Sequence, residues 1–202
     1  MSLVDAIQSF DFAILDAIRS AFGGGVSDTV WKVITAFGSG GIFWIALSVL
    51  FLLFRRTRKW GLAMGIALFI GVIVGNLFLK NAFARVRPYD VNNMAYLIVR
   101  APHDFSYPSG HTMGSLGAAL ALFHCSKKAG TPAVILALLI MYSRLYLYVH
   151  YPTDILGGLL VALGTSLLGY IFAELITARF EPWLDAKLSA RRAGKSGGAG
   201  GK

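Results

Sequence analysis

The sequence predicts an all-α polytopic bundle embedded in a membrane, and three observations carry that reading. Of 202 residues, 56% are hydrophobic and only 14% charged, with a mean hydropathy of +0.64, where soluble domains average about 25% charged residues. The apolar residues form runs close to the roughly 20 residues that a helix needs to cross a bilayer. The basic residues, which outnumber the acidic ones by 19 to 10, collect between those runs. A separate soluble domain finds no room, and the single cysteine, Cys125, excludes an intramolecular disulfide or a CxxC site.

The elements follow in order. Residues 1–28 form an N-terminal segment in which Asp5, Gln8, Asp11, Asp16 and Arg19 share one side of a helix from Leu3 to Phe22, with Ile7, Phe10, Ile14, Ala17, Ile18 and Ala21 opposite. That pattern suits an amphipathic helix lying in the membrane interface, and a sixth crossing is the alternative. The segment lacks the basic start of a secretory signal. Five crossings are expected within residues 29–178: Val33 to Phe54, Trp60 to Leu79, Phe105 to Ser126, Ala129 to Ser143, and Ile155 to Ala173. Residues 179–202 are basic and rich in glycine toward the end, and are expected to be a largely disordered tail.

Orientation comes from lysine and arginine. Arg55, Arg56, Arg58 and Lys59 follow the first run, Lys127 and Lys128 the third, and six more follow the last, from Arg179 to Lys202. Five crossings put all three groups on one side, which the positive-inside rule makes cytoplasmic. The C-terminus is then cytoplasmic, and the net charge of +9 reports topology rather than a nucleic-acid partner.

What remains gathers at the opposite, extracytoplasmic level: Lys80, Arg85 and Arg87, then His111, Arg144, His150 and Asp154. Charged groups near a membrane core are costly and face a partner, cavity or pathway, and this excess of bases calls for an anion. Pro108-Ser109-Gly110-His111 places small residues at a helix start, where backbone N–H groups and the dipole favour negative charge. Arg87 and Arg144 suit phosphate oxygens through paired guanidinium donors, and Lys80 adds a point charge. Were the helix to begin by His150, Asp154 would share its face and hold one ring nitrogen, leaving the other as nucleophile. Two histidines with one orienting acid suggest a two-step displacement, one attacking phosphorus and the other handling the proton. Too few carboxylates are present to hold cations, so no metal and no cofactor are expected.

Lys80, six residues, Arg87-Pro88; Pro108-Ser109-Gly110-His111; and Ser143-Arg144, five residues, His150, three residues, Asp154 resemble the three-part signature of the type 2 phosphatidic acid phosphatase superfamily. The likeness extends from about Arg55 to Ala173, and the short chain is similar to the small bacterial members that act on lipid phosphates at the outer face of the inner membrane. The resemblance implies His150 as the nucleophile that forms a phosphohistidine, Asp154 as its orienting acid, and His111 as the proton donor. It implies Lys80, Arg87, Arg144, the Ser109 hydroxyl and the Gly110 backbone as the phosphate cradle. The implied partner is a membrane lipid phosphate: undecaprenyl diphosphate, phosphatidic acid or phosphatidylglycerol phosphate.

Other residues have plainer readings. Arg85 lies outside the signature and is open between an interface anchor and a secondary phosphate contact. Arg100 and His103 suit surface pairing with Asp90 or Asp104, in a loop from Tyr89 to Tyr107 placed to gate a head group. His124, near the opposite end of the third run, reads as structural. Gly61, Gly65, Gly71 and Gly75 suit close helix packing within one chain, a homodimer seam being the alternative to a monomer. Tyr142, Tyr146, Tyr148, Tyr151 and Trp183 read as interfacial aromatics. Rival functions are a lipid phosphotransferase using the same site and an anion transporter.

Overall fold

Ser2 starts the first helix by accepting from the Asp5 N–H at 3.1 Å while the Asp5 carboxylate accepts from the Ser2 N–H at 2.8 Å, a reciprocal cap. The computed structural model describes residues 2–92 and 97–197, with side chains as far as 180. Its elements are α1 (Leu3–Phe22), α2 (Gly25–Ala36), a 3-10 turn (Ser39–Gly41), α3 (Ile42–Leu53), α4 (Arg58–Gly71) running on as a π-helical stretch (Val72–Leu79), α5 (Lys80–Phe83), α6 (Pro88–Val91), α7 (Gly110–Cys125), α8 (Lys127–Tyr146) and α9 (Pro152–Gly197). Among the described residues there is no strand.

α7 is the axis of the bundle and packs against α4, α8 and α9, while α3 packs on α4 and α2 on α8. The core is built from Trp44, Met64, Leu116, Leu122 and Ile140, and the Trp44 indole donates to Ser115 Oγ on α7 at 2.9 Å. Small residues let the helices approach: a side chain at Gly61 would strike the backbone of α3, and one at Gly75 would strike Met113 of α7. These contacts lie inside the chain. Facing outward are Val30, Ile45, Phe69, Leu160 and Leu175, as a lipid-facing surface requires.

Among the described residues four helices are long and apolar enough to cross a membrane: Gly25–Leu53, Arg58–Val91, Lys127–Tyr146 and Pro152–Phe180. The third run expected from the sequence, Phe105 to Ser126, is helical for only 16 residues, about 24 Å of rise. Residues 105–109 are non-helical, because Ser109 caps the helix at Gly110 and Pro108 precedes the cap. The first expected crossing is divided, since Gly40 and Gly41 take positive φ values of 59° and 67° between α2 and α3. Toward the C-terminus the backbone stays helical to Gly197, through much of the segment expected to be disordered. Its Ala, Leu, Lys and Arg content favours helix. Residues 198–202, and the side chain of Trp183, lie outside the described set.

Two further expectations change. Tyr146, Tyr148 and Tyr151 are not interfacial but buried, at 0%, 4% and 1% exposure. Tyr148 and Tyr151 pack with Leu15 of α1, and the Tyr146 hydroxyl donates to Asp28 at 2.5 Å. α1 directs Asp11 inward, where it is fully buried, while Leu3, Val4, Ile7 and Phe10 are exposed. At the far end of the bundle Lys59 pairs with Glu174, and His124 lies against Tyr170 with ring centroids 5.6 Å apart.

Candidate active site

The site is assembled at one end of the bundle from four stretches of chain. Lys80 opens α5 directly after the π-helical stretch, the connection after α5 delivers Arg87, the N-terminus of α7 delivers His111, and the last turn of α8, the α8–α9 connection and the first turn of α9 deliver Arg144, His150 and Asp154. Lys80, Arg87 and Arg144 are buried to 5%, 3% and 4% exposure. With His111 and His150 they line one cavity of about 650 Å³. Buried cations this close together repel and lose hydration, so the arrangement is stable only beside anions or with an anion to receive.

His150 and Asp154 form the central pair, by a route other than the one expected. The helix starts at Pro152, so His150 precedes it. Asp154 in the first turn reaches back, and its Oδ2 lies 3.3 Å from His150 Nδ1, 2.9 Å from the Tyr151 N–H and 2.5 Å from Ser106 Oγ. With Nδ1 protonated and donating to the carboxylate, Nε2 carries the lone pair and faces Arg87 Nη1 at 3.2 Å. Burial pushes the imidazole down, against the raising effect of Asp154 and with the Arg87 and Arg144 charges adding to the fall, to about 3. His150 is therefore neutral at neutral pH, the form a nucleophile needs.

Around this pair stand groups with unfilled hydrogen-bonding capacity. Among the described residues His111 Nε2 and Arg144 Nε are buried without a partner, while Arg144 Nη1 donates to Thr35 Oγ1 at 2.7 Å. Arg87 is held by the main chain, with Nε donating to the Asp104 carbonyl and Nη1 to the Val149 carbonyl, both at 2.7 Å. The Asp104 carboxylate accepts from Arg87 Nη2 at 2.6 Å and from Lys80 Nζ. Partial burial would raise the Asp104 carboxyl, but these two cations outweigh it and hold it at about 2. Away from the bases, the cavity is walled by Ile45, Val49, Leu68, Phe69 and Val72, several of which are half exposed on the outer surface.

The PAP2 superfamily model matches residues 58–177. The chain belongs to the PAP2 superfamily. It is 38% identical to an undecaprenyl-diphosphatase of Sulfolobus acidocaldarius over 126 residues, which is 62% of this chain and 61% of that protein, so the chain spans about three fifths of that relative's length. It is 32% identical to the undecaprenyl-diphosphatase BcrC of Bacillus subtilis, over 75% of this chain and 77% of that one. In structure it resembles a transmembrane PAP2-type phosphatidylglycerolphosphate phosphatase of Bacillus subtilis, with a TM-score of 0.71 and 28% identity, covering 85% of this chain and 88% of that one.

The PAP2 match takes in α4 to α8 and the first part of α9, and with them Lys80, Arg87, His111, Arg144 and His150, which the fold brings to one cavity as the sequence suggests. Gly110 also lines it. Ser109 does not line the cavity: it is fully buried and its Oγ accepts from the Thr112 N–H at 3.4 Å as the cap of α7. Arg85 points away, donating to Asp154 Oδ1, Asp11 Oδ2 and Thr153 Oγ1, each at 2.7 Å, and lying 3.8 Å over the Tyr151 ring. Asp104 is taken up by Lys80 and Arg87 rather than by Arg100 or His103.

Four contributors went unread in the sequence: Ser106, Thr35, Gly38 and Asp11. A side chain at Gly38 would sit 2.5 Å from His111 Cδ2, so the α2–α3 connection backs directly onto that imidazole. Thr35, Gly38 and Asp11 lie outside the PAP2 match, and no motif spacing marks them. Among the described residues no three His, Cys, Asp or Glu side chains are grouped as a metal site.

Proposed function

We propose that the protein is a membrane lipid phosphatase that hydrolyses a phosphomonoester or diphosphate through a phosphohistidine on His150, without a metal. One observation carries this reading: His150 has Asp154 on one nitrogen and presents the other to a cavity whose polar end is Lys80, Arg87, Arg144 and His111 and whose remaining wall is mostly apolar. A soluble phosphate ester has no use for the second half of that cavity; a lipid tail does.

The chemistry follows from the atoms. Phosphate oxygens sit among Arg87, Lys80 and the open Nε of Arg144, which neutralise charge as it develops. His150 Nε2 attacks phosphorus and a P–N bond forms as the P–O bond to the lipid breaks. With the negative charge of the bound phosphate beside it, His111 takes up a proton and gives it to the leaving oxygen. Neutral His111 then takes a proton from water, whose oxygen attacks phosphorus; the P–N bond breaks and His150 recovers its lone pair. Asp154 stays ionised and stabilises the charged ring in between.

The expected topology places five crossings, α7 included, with α1 in the interface beside the site. The site lies on the extracytoplasmic face of the inner membrane and the C-terminus is cytoplasmic. Relatives named as undecaprenyl-diphosphatases favour undecaprenyl diphosphate among the candidates, ahead of phosphatidic acid and phosphatidylglycerol phosphate.

The test is phosphate release by the purified protein in mixed micelles from each of these three lipids, with chelator present and no acceptor lipid. Release that is undiminished by chelator and fastest from undecaprenyl diphosphate agrees with the reading. Strict dependence on an added divalent metal overturns the mechanism, and absence of release from all three overturns the function.

A further inference from the structure

The two bases best placed for phosphate already hold an anion supplied by the chain. Asp104 places one carboxylate oxygen on Lys80 Nζ and the other 2.6 Å from Arg87 Nη2, bridging a lysine and an arginine as two phosphoryl oxygens would. The two bases are buried, while the Asp104 side chain is 54% exposed and sits in a non-helical stretch before α7. Its departure would leave Arg87 in place, because the Val149 and Asp104 carbonyls hold Nη1 and Nε independently. Arg144 is different: its Nη1 is bonded to the Thr35 hydroxyl and its Nε is unpartnered among the described residues. Among those residues the cradle thus pairs an open Arg144 Nε with two cations covered by a removable carboxylate.

Exchange of that carboxylate is a comparison of charges. A phosphodiester carries one negative charge, the same as Asp104, so its entry gains little Coulombic energy at Lys80 and Arg87 and must still displace a group already bonded there. A phosphomonoester dianion or a diphosphate carries more charge and has more oxygens to share among three bases. Most phosphate in a bilayer is phosphodiester, so a lateral opening to the membrane exposes the site to a large excess of non-substrate head groups. We propose that Asp104 is a specificity-determining residue that excludes phosphodiester lipids by occupying Lys80 and Arg87, and yields them to the more highly charged phosphate of a monoester or diphosphate. This rests on the lipid phosphatase reading above, and it acts by disfavouring the wrong ligand.

The experiment compares wild type with Asp104→Asn and Asp104→Glu, using phosphate release from phosphatidic acid in neutral mixed micelles with rising phosphatidylglycerol as the phosphodiester competitor. The expected result is weak inhibition of wild type and of Asp104→Glu, and an inhibition constant about tenfold lower in Asp104→Asn. The KM for phosphatidic acid should fall less than that constant, so selectivity narrows. A melting temperature for each variant shows that the comparison is between folded proteins. If Asp104 merely orients Lys80 and Arg87, Asp104→Asn binds every phosphate more weakly. An unchanged or raised inhibition constant therefore overturns the proposal while wild-type turnover keeps the function intact. Wild type that releases phosphate from none of the three candidate lipids overturns the function itself, and the proposal with it.

Discussion

Arg85 donates to Asp154 Oδ1 at 2.7 Å, and the same guanidinium donates to Asp11 Oδ2 at 2.7 Å. A fully buried acid on α1 is thereby coupled to Asp154, the partner of His150, with Thr153 Oγ1 closing the network on Asp11 at 2.5 Å. α1 thus braces the His150–Asp154 pair from outside the cavity. Asp11→Asn keeps the shape but removes the charge that holds Arg85. We expect kcat to fall roughly tenfold or more, KM to change little, and Asp11→Glu to recover part of the loss. An unchanged kcat in a folded Asp11→Asn protein would show that the link carries no positioning.

The α2–α3 connection makes a second demand. A methyl group at position 38 would lie 2.5 Å from His111 Cδ2 and 2.8 Å from Ile140, forcing the imidazole aside, so Gly38→Ala should lower kcat by up to about a hundredfold. Thr35→Val removes the acceptor for Arg144 Nη1 and should chiefly raise KM. Steady-state kinetics on the two variants separate these effects; equal losses in both parameters for both variants would contradict the assignment.

His150 supplies a pH prediction. Burial, aided by Arg87 and Arg144 against Asp154, lowers it from 6.5 to about 3, so the folded protein binds fewer protons here than the unfolded chain. That contribution to stability is present above the unfolded value and is lost as pH falls from about 6.5 toward 3. Thermal unfolding across this window should show a declining melting temperature, with a shallower decline in His150→Gln. Equal slopes in the two proteins would remove His150 as the cause.

Topology is testable at Arg100, an exposed residue of the loop before α7. Arg100→Cys in a Cys125→Ala background should react with an impermeant thiol reagent added to intact cells. Labelling only after the membrane is broken would put the site on the cytoplasmic face.

The bases and histidines were legible because each lies in a short contiguous segment whose spacing survives folding, from Lys80 to Arg87, from Pro108 to His111, and from Ser143 to Asp154. The helices were legible as apolar runs, but not their ends: Ser109 acts as a cap, Gly40 and Gly41 divide the first run, and α7 starts five residues later than hydropathy alone suggests. Arg85 defied reading because its partners are 74 and 69 residues away in sequence. Asp11 looked like the polar face of an interfacial helix, and the sequence pattern of such a helix does not say whether that face meets water or a buried arginine. Thr35, Gly38 and Ser106 are small residues whose importance lies in distant partners: hydrogen bonds to Arg144 and Asp154 for the two hydroxyls, and the close approach of His111 for Gly38.

The central claim is that His150 carries the phosphoryl group, and rapid acid-free denaturation during turnover of a lipid labelled in its terminal phosphate tests it most directly. The account predicts a protein-bound phosphoryl group that is acid-labile and alkali-stable, maps to His150, and disappears together with turnover in His150→Ala. Turnover that persists in His150→Ala, or a phosphoryl group mapped to another residue, would contradict it.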